Sequence, residues 1–289
     1  MMQRDAIYIG GEWVEANGEG AIEVVNPATE QTIGSVPVGS SSDVDAAVAA
    51  ARRAFPEWSA SSLEVRIEAL NAISAALKAR GEELAQLITA EVGTPIGYSR
   101  MAMVGTPRVV ARSYAKMLEN YQFEEEVRNS LVVKEAVGVC AMITPWNFPL
   151  HQIIGKVAPA LAAGCTMVLK PAEQTPLTAL RFSDLLDEAG VPPGVVNIVS
   201  GFGETAGAAL VEHPDVDKIA FTGSTEIGQL IASVAAPALK RYTLELGGKS
   251  AMVVLADADP ETCIPGTAMG IFGNHGQNCC AGSRLYVHR

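Results

Sequence analysis

The chain has 289 residues, 48% of them apolar and 18% charged, a balance that supports a large core and excludes wholesale disorder. Lys and Arg number 21 against 32 Asp and Glu, for a formal net charge of −11, which argues against general affinity for nucleic acid or an anionic membrane. No uninterrupted apolar run reaches the roughly 18 residues of a membrane span, and the start MMQRDAIYIGGEW lacks an apolar signal core, so the expected location is the cytoplasm.

Residues 7–25 read as short strands with turns at Gly10-Gly11 and Asn17-Gly18. From Ser42 to Phe55 an Ala-rich spacing predicts a helix capped by Ser42 or Asp43. A second helix is expected over Leu63–Arg80, stopped by Gly81, followed by helical pattern over Glu83–Val92 and a longer stretch ending near Tyr121. The segment Phe123–Ala136 reads as an exposed β-hairpin arm, with Glu124, Glu125 and Glu126 on one side of Asn129-Ser130.

Beyond Val137 the character changes. Short β-branched runs at 137–143, 166–169, 195–199, 218–221 and 241–246 alternate with helical patterns near 150–163, 177–189, 204–211 and 225–236. Strict alternation predicts an α/β fold, a parallel sheet with helices on both faces. Ligands of such sheets bind at the carboxyl ends of the strands, so the residues after each run are the candidates.

The first run leads into Thr144-Pro145-Trp146-Asn147-Phe148-Pro149, where Asn147 reads either as a hydrogen-bond donor to an oxyanion or as a cap of the next helix. The second leads into Lys170-Pro171-Ala172-Glu173, a pair suited to a ribose diol or to a surface ion bridge. The fourth ends in Phe221-Thr222-Gly223-Ser224 and feeds a helix through Gly228, where the glycines read either as tight turns or as a place for phosphate, with a spacing unlike the usual dinucleotide fingerprint. The fifth ends in Leu244-Glu245-Leu246. An acid inside an apolar strand end is expected to be buried with a raised pKa, as a general base requires, unless it pairs with Lys249.

Last comes Asn274-His275-Gly276-Gln277-Asn278-Cys279-Cys280, a thiol among small and amide residues. His275 raises a Cys–His hydrolase reading that its separation from Cys279 does not support. The cysteines at 140, 165, 263, 279 and 280 are odd in number and fit no zinc spacing, so reduced thiols and no metal site are expected.

Together PWNFPL, KPAEQTP, FTGSTEIG, LELGGKS and GQNCCAGSR, with NPATEQTIG near the start, resemble the aldehyde dehydrogenase superfamily in order and spacing over nearly the whole chain. The resemblance implies a Rossmann-variant sheet binding NAD, Cys279 as nucleophile, Glu245 as general base and Asn147 as oxyanion donor. It implies ribose contacts at Lys170 and Glu173, pyrophosphate contacts at Gly223, Ser224 and Gly228, and an adenine side near Gly203. Thr144, Pro145, Trp146, Phe221 and Leu246 complete the implied cofactor set.

The implied reaction takes an aldehyde to a carboxylic acid through a Cys279 thiohemiacetal and a thioester hydrolysed with Glu245. Glu173 favours NAD over NADP by repelling a second phosphate, and Glu245 favours hydrolysis over transfer to CoA. Gly155 and Gly273 stand where many relatives carry bulky tunnel residues, with Phe148 retained and His151 on the wall, so bulky or polar aldehydes are expected.

Members of the family are longer than this chain, so an amino-terminal fragment, inactive alone, is expected. Residues 1–117 and 137–246 would form the NAD-binding domain, 118–136 an oligomerisation hairpin and 247–289 the start of a second α/β catalytic domain. The full-length protein would be a homodimer or homotetramer. A truncated non-catalytic NAD-binding or interaction protein is the alternative.

Overall fold

The computed structural model describes residues 2–3 and 5–289. Strands β1 (Met2–Gln3), β2 (Ala6–Ile9), β3 (Glu12–Glu15), β4 (Ala21–Val25) and β5 (Thr32–Pro37) open the chain, and β2 and β3 form a hairpin turned at Gly10-Gly11. Helix α1 (Ser41–Ser59) is capped by Ser40, not by Ser42 or Asp43. The Ser40 Oγ accepts from the Asp43 N–H at 3.3 Å and the Asp43 carboxylate accepts from the Ser40 N–H at 2.7 Å. Two of the helix end's unpaired donors are satisfied by this reciprocal box, which a single cap at 42 or 43 would leave open.

Helix α2 (Leu63–Ala79) runs into α3 (Gly81–Val92) through Arg80, which serves both as flanking residue. Gly81 therefore begins a helix and does not end one. Arg80 holds φ at −97°, so no left-handed residue is needed there, and the glycine that does stop a helix is Gly93 at φ 84°. Helix α4 (Ile96–Tyr98), a π-helical stretch Ser99–Gly105 and α5 (Thr106–Leu118) follow. Strands β6 (Glu124–Val127) and β7 (Ser130–Val133) make an antiparallel hairpin exposed along its whole length, as the acidic run predicts.

Then come β8 (Val139–Ile143), α6 (Pro149–Ala162), β9 (Thr166–Lys170), α7 (Leu177–Glu188) and β10 (Val196–Ile198). A π-helical turn at Gly203–Gly207 leads through α8 (Ala208–Glu212), β11 (Lys218–Gly223) and α9 (Thr225–Ala235) to β12 (Arg241–Leu246). The main sheet has the order β12-β11-β8-β9-β10-β2-β3. From β12 to β10 every pairing is parallel, and β2 joins β10 antiparallel, so the parallel sheet expected from the alternation is extended by the amino-terminal hairpin into a mixed one.

Both faces of this sheet are covered. Along β8 and β9 every residue is buried, and the two-residue period of a strand deals them alternately to two layers. Cys140, Met142, Met167 and Leu169 pack with α2, α3, α6 and α7, whereas Val139, Ala141, Ile143 and Val168 pack with α1, α8 and α9. The chain moves outward from β8 through β9 to β10, then crosses to β11 on the other side, so a crevice opens between the carboxyl ends of β8 and β11. After β12, β13 (Ala251–Val254), α10 (Pro260–Phe272) and β14 (Arg284–Val287) form a parallel two-stranded unit separate from the main sheet.

Candidate active site

A cleft of about 620 Å³ occupies the crevice. Thr144, Pro145, Trp146 and Asn147 enter it from the loop after β8, Lys170 and Glu173 from the end of β9, and Gly203 from the π-helical turn. Phe221, Gly223 and Ser224 reach it from β11, Leu246 from β12, and Cys279 from the segment before β14. Twelve of the sequence candidates thus share one hollow.

Lys170 is 2% exposed and its ammonium donates to the Gly201 carbonyl at 2.7 Å and to the Glu173 carboxylate at 3.2 Å. Burial holds the ammonium below the usual lysine range, and Glu173 partly opposes the shift. The pair is not a surface bridge. At the start of α9 the Ser224 Oγ accepts from the Ile227 N–H at 3.3 Å, and Gly223, Ser224 and Ile227 bring that helix terminus onto the cleft. Positive dipole and free N–H groups there suit an anion.

Asn147 does not cap α6. The flanking residue is Phe148, which has no side-chain cap, and the Asn147 amide instead donates to the Gln277 carbonyl at 2.8 Å. One N–H of that amide remains, and its Oδ1 is buried without a partner.

Two candidates lie off the cleft. Gly228 is buried one turn into α9, where an added Cβ would stand 2.7 Å from the Leu246 Cδ2. It lets α9 pack onto β12 and is not among the residues that line the cleft. Glu245 sits on the edge strand and is exposed, so the burial expected of an acid at an apolar strand end is absent. The reason is lateral: nothing pairs with the outer side of β12 among the described residues, and Leu244 and Leu246 are themselves only partly covered. No ion pair joins Glu245 to Lys249 among those residues. Opposite Glu245 in register is Thr222, whose Oγ1 accepts from the Lys156 ammonium at 2.6 Å. Burial brings Lys156 down to about 8, with Glu245 pulling it back up. Lys156 was not singled out by sequence, where it is one lysine in an apolar helix.

Cys279 is exposed. Its Sγ is 4.0 Å from Asn278 Oδ1, and partial burial together with the neighbouring Cys280 pushes the thiol up. No imidazole hydrogen-bonds to it among the described residues. His275 instead lines a second hollow of about 390 Å³ with Pro95, Tyr98, Met269 and Phe272, so the Cys–His arrangement is not formed. A Cβ at Gly155 would meet nothing within 4 Å and one at Gly273 only Tyr98 Oη at 3.7 Å and Met269 Sδ at 3.8 Å, so both positions are open. His151 lies edge-on to Phe148 with 6.3 Å between rings, and burial lowers its pKa.

Asn274 belongs to the same sequence motif as Cys279. It is 3% exposed, in the left-handed region at φ 51°, and bonded to both the Asn147 and Gln277 loops. No group of three or more His, Cys, Asp or Glu able to hold a metal occurs among the described residues, and none of their helices is long and apolar enough to cross a membrane.

A crevice at a sheet's switch point, with a buried lysine and a helix start around it, defines an α/β protein of the nucleotide-binding kind with an exposed thiol at the same cleft. Residues 13–289 match the aldehyde dehydrogenase family, and the chain belongs to it. A 3-succinoylsemialdehyde-pyridine dehydrogenase of a Pseudomonas species is 47% identical over 283 residues, covering 97% of this chain and 59% of that relative. A phenylacetaldehyde dehydrogenase of Pseudomonas fluorescens is 48% identical over 294 residues, covering 98% and 59%. Aldehyde dehydrogenase C of Pseudomonas syringae, solved as a mutant complexed with NAD+ and octanal, superposes with a TM-score of 0.97 at 46% identity, covering 99% of this chain and 59% of that one. The chain thus spans about 59% of the length of these relatives.

Proposed function

We propose that this chain is the dinucleotide-binding and nucleophile-bearing part of an NAD-dependent aldehyde dehydrogenase that oxidises an aldehyde to a carboxylic acid. The observation that carries the reading is the sharing of one cleft by Cys279 and Asn147 with Lys170, Glu173, Gly223 and Ser224. In this reading residues 1–117 and 137–246 bind the cofactor, 118–136 form an arm for self-association and 247–289 belong to the catalytic domain.

The residues fit the cofactor. Lys170 and Glu173 present a buried cation and an acceptor to a ribose diol, the α9 start faces a pyrophosphate, and Val211, Ile227, Leu230 and Val234 offer an apolar slot for a flat base. NAD, when bound, supplies the acceptor for the hydride that an aldehyde adduct gives up. The Cys279 thiolate forms the C–S bond to the aldehyde carbon, and the free Asn147 N–H, with the Cys279 main-chain N–H, receives the resulting oxyanion. Glu245 takes the proton of the water that releases the acid from Cys279. The presence of its carboxylate favours hydrolysis over transfer onto CoA. Openings at Gly155 and Gly273, with His151 beside Phe148, support bulky or polar aldehydes as substrates. Two relatives are named for aldehydes carrying an aromatic ring.

Since Cys279 and Glu245 are both exposed, the 289-residue chain binds NAD without turning over aldehyde. Calorimetric titration with NAD, paired with an NADH absorbance assay, tests this. Saturable binding that Lys170→Ala removes is expected. Absence of binding overturns the cofactor reading, NADH formation by the chain overturns its inactivity, and NADH formation that is also kept by Cys279→Ala overturns the nucleophile.

A further inference from the structure

We propose that Asn274 is a positioning residue that holds the oxyanion donor Asn147 in place beside Cys279; this rests on the functional reading above. The Asn274 amide donates to the Asn147 carbonyl at 2.9 Å and to the Gln277 carbonyl at 3.3 Å. Asn147 in turn donates its own amide to that same Gln277 carbonyl at 2.8 Å. Two side-chain amides 127 positions apart therefore close on one acceptor, the carbonyl two residues before the thiol. Behind them the Thr94 hydroxyl donates to Asn274 Oδ1 at 3.0 Å, and the Gln277 N–H donates to the Asn274 carbonyl at 2.9 Å. Thr94 is fully buried, so the clamp is anchored in the helical layer.

Every polar atom of the Asn274 side chain is thus committed to a partner within the protein. Its role is to fix other groups and not to touch substrate. By using one Asn147 N–H on Gln277 and pinning the Asn147 backbone, the clamp leaves the second N–H with a single direction. The backbone explains the residue type. Positions 274, 275 and 276 all hold positive φ, at 51°, 58° and 75°. Asparagine tolerates that region better than other residues with a side chain, and among residues with two amide donors it has the shortest reach.

The test uses the whole chain without NAD. Acylation of Cys279 by p-nitrophenyl acetate forms the S–C bond through an oxyanion and expels p-nitrophenolate, whereas alkylation by iodoacetamide displaces iodide at a saturated carbon and makes no oxyanion. Both are followed on the Cys279 peptide by mass spectrometry, over a range of pH. Asn274→Gly keeps the left-handed backbone without the amide. Asn274→Asp keeps the shape and the Thr94 acceptor and turns a carboxylate oxygen toward the two carbonyls. Each is expected to slow acylation about tenfold, within the effect of losing an oxyanion donor outright, and to leave the rate and pH midpoint of alkylation unchanged. Asn147→Ala, which removes the donor outright, is expected to be at least as slow, and the double variant Asn147→Ala/Asn274→Gly to be no slower than Asn147→Ala. Wild-type acylation in Asn274→Gly while Asn147→Ala is slow overturns the positioning role and leaves the function of Asn147 standing. Wild-type acylation in Asn147→Ala overturns both. A parallel fall in acylation and alkylation makes Asn274 merely structural and also overturns the proposal.

Discussion

Lys170 and Glu173 meet at 3.2 Å with the lysine buried and the glutamate one-third exposed, so the carboxylate is the half of the pair that an incoming ligand encounters. A second phosphate about 4 Å from it would be repelled by roughly 4 kcal/mol per charge pair at an effective dielectric near 20, less where solvent screens. Glu173→Gln is therefore expected to narrow the preference for NAD over NADP by about tenfold, measured as the ratio of calorimetric dissociation constants. An unchanged ratio would place the origin of selectivity elsewhere.

Gly39 connects the amino-terminal strands to the same lysine. Its N–H donates to the Ser200 carbonyl at 2.8 Å, and an added Cβ would overlap that oxygen and stand 2.6 Å from Val199 Cγ1. The next carbonyl, Gly201, accepts from Lys170. Gly39→Ala should cost about 1–3 kcal/mol of stability by overpacking, read as a lower urea midpoint, and should weaken NAD binding as well. Lost stability with unaltered affinity would uncouple this strap from the site.

Glu91 is fully buried at the end of α3 and accepts from the Leu177 N–H at 2.6 Å, the Thr178 N–H at 3.2 Å and the Thr178 hydroxyl at 2.6 Å. Burial pushes its pKa up to about 7, and those three donors hold it from going further. The folded state therefore binds this proton more tightly than the unfolded chain. Its contribution to stability is greatest below the ordinary value of 4.5 and falls as pH rises toward 7. Thermal melts across this window should show a downward slope in the wild type that Glu91→Gln flattens. Parallel profiles would remove Glu91 as the source.

Burial first, and Cys280 second, hold the Cys279 thiol above the ordinary 9.0, and the main-chain N–H groups of Cys279 and Cys280 only partly oppose them. Its alkylation rate should still be climbing past that pH. Cys280→Ser should move the profile to lower pH, since it removes the second cause and keeps the first. A plateau near neutrality in the wild type would mean that a base reaches the thiol after all.

Strands β8 and β9 were legible because residues buried on both faces must be apolar throughout, and the chain after each was legible because parallel sheets gather ligands at one edge. The α1 cap stands two or three residues before the expected Ser42 or Asp43, because within Ser40-Ser41-Ser42-Asp43 only the reciprocal bond to Asp43 selects Ser40. Composition around Glu245 describes the strand it belongs to and not what lies beside that strand, so its exposure was invisible. Asn274 was illegible for a further reason. Its partners Asn147 and Thr94 lie 127 and 180 residues away, and its left-handed backbone leaves no periodic trace.

Among the described residues strands β13 and β14 pair only with each other, exposed along most of their length, while β8 is held on both sides by neighbours. Local opening should therefore be graded across the molecule, since few buried contacts guard the amides of the small unit. In deuterated water, β13 and β14 would lose their protons long before β8 and β9. The cleft straddles that gradient: Lys170 and Thr144 stand on the slow side, and the thiol arrives from the fast one.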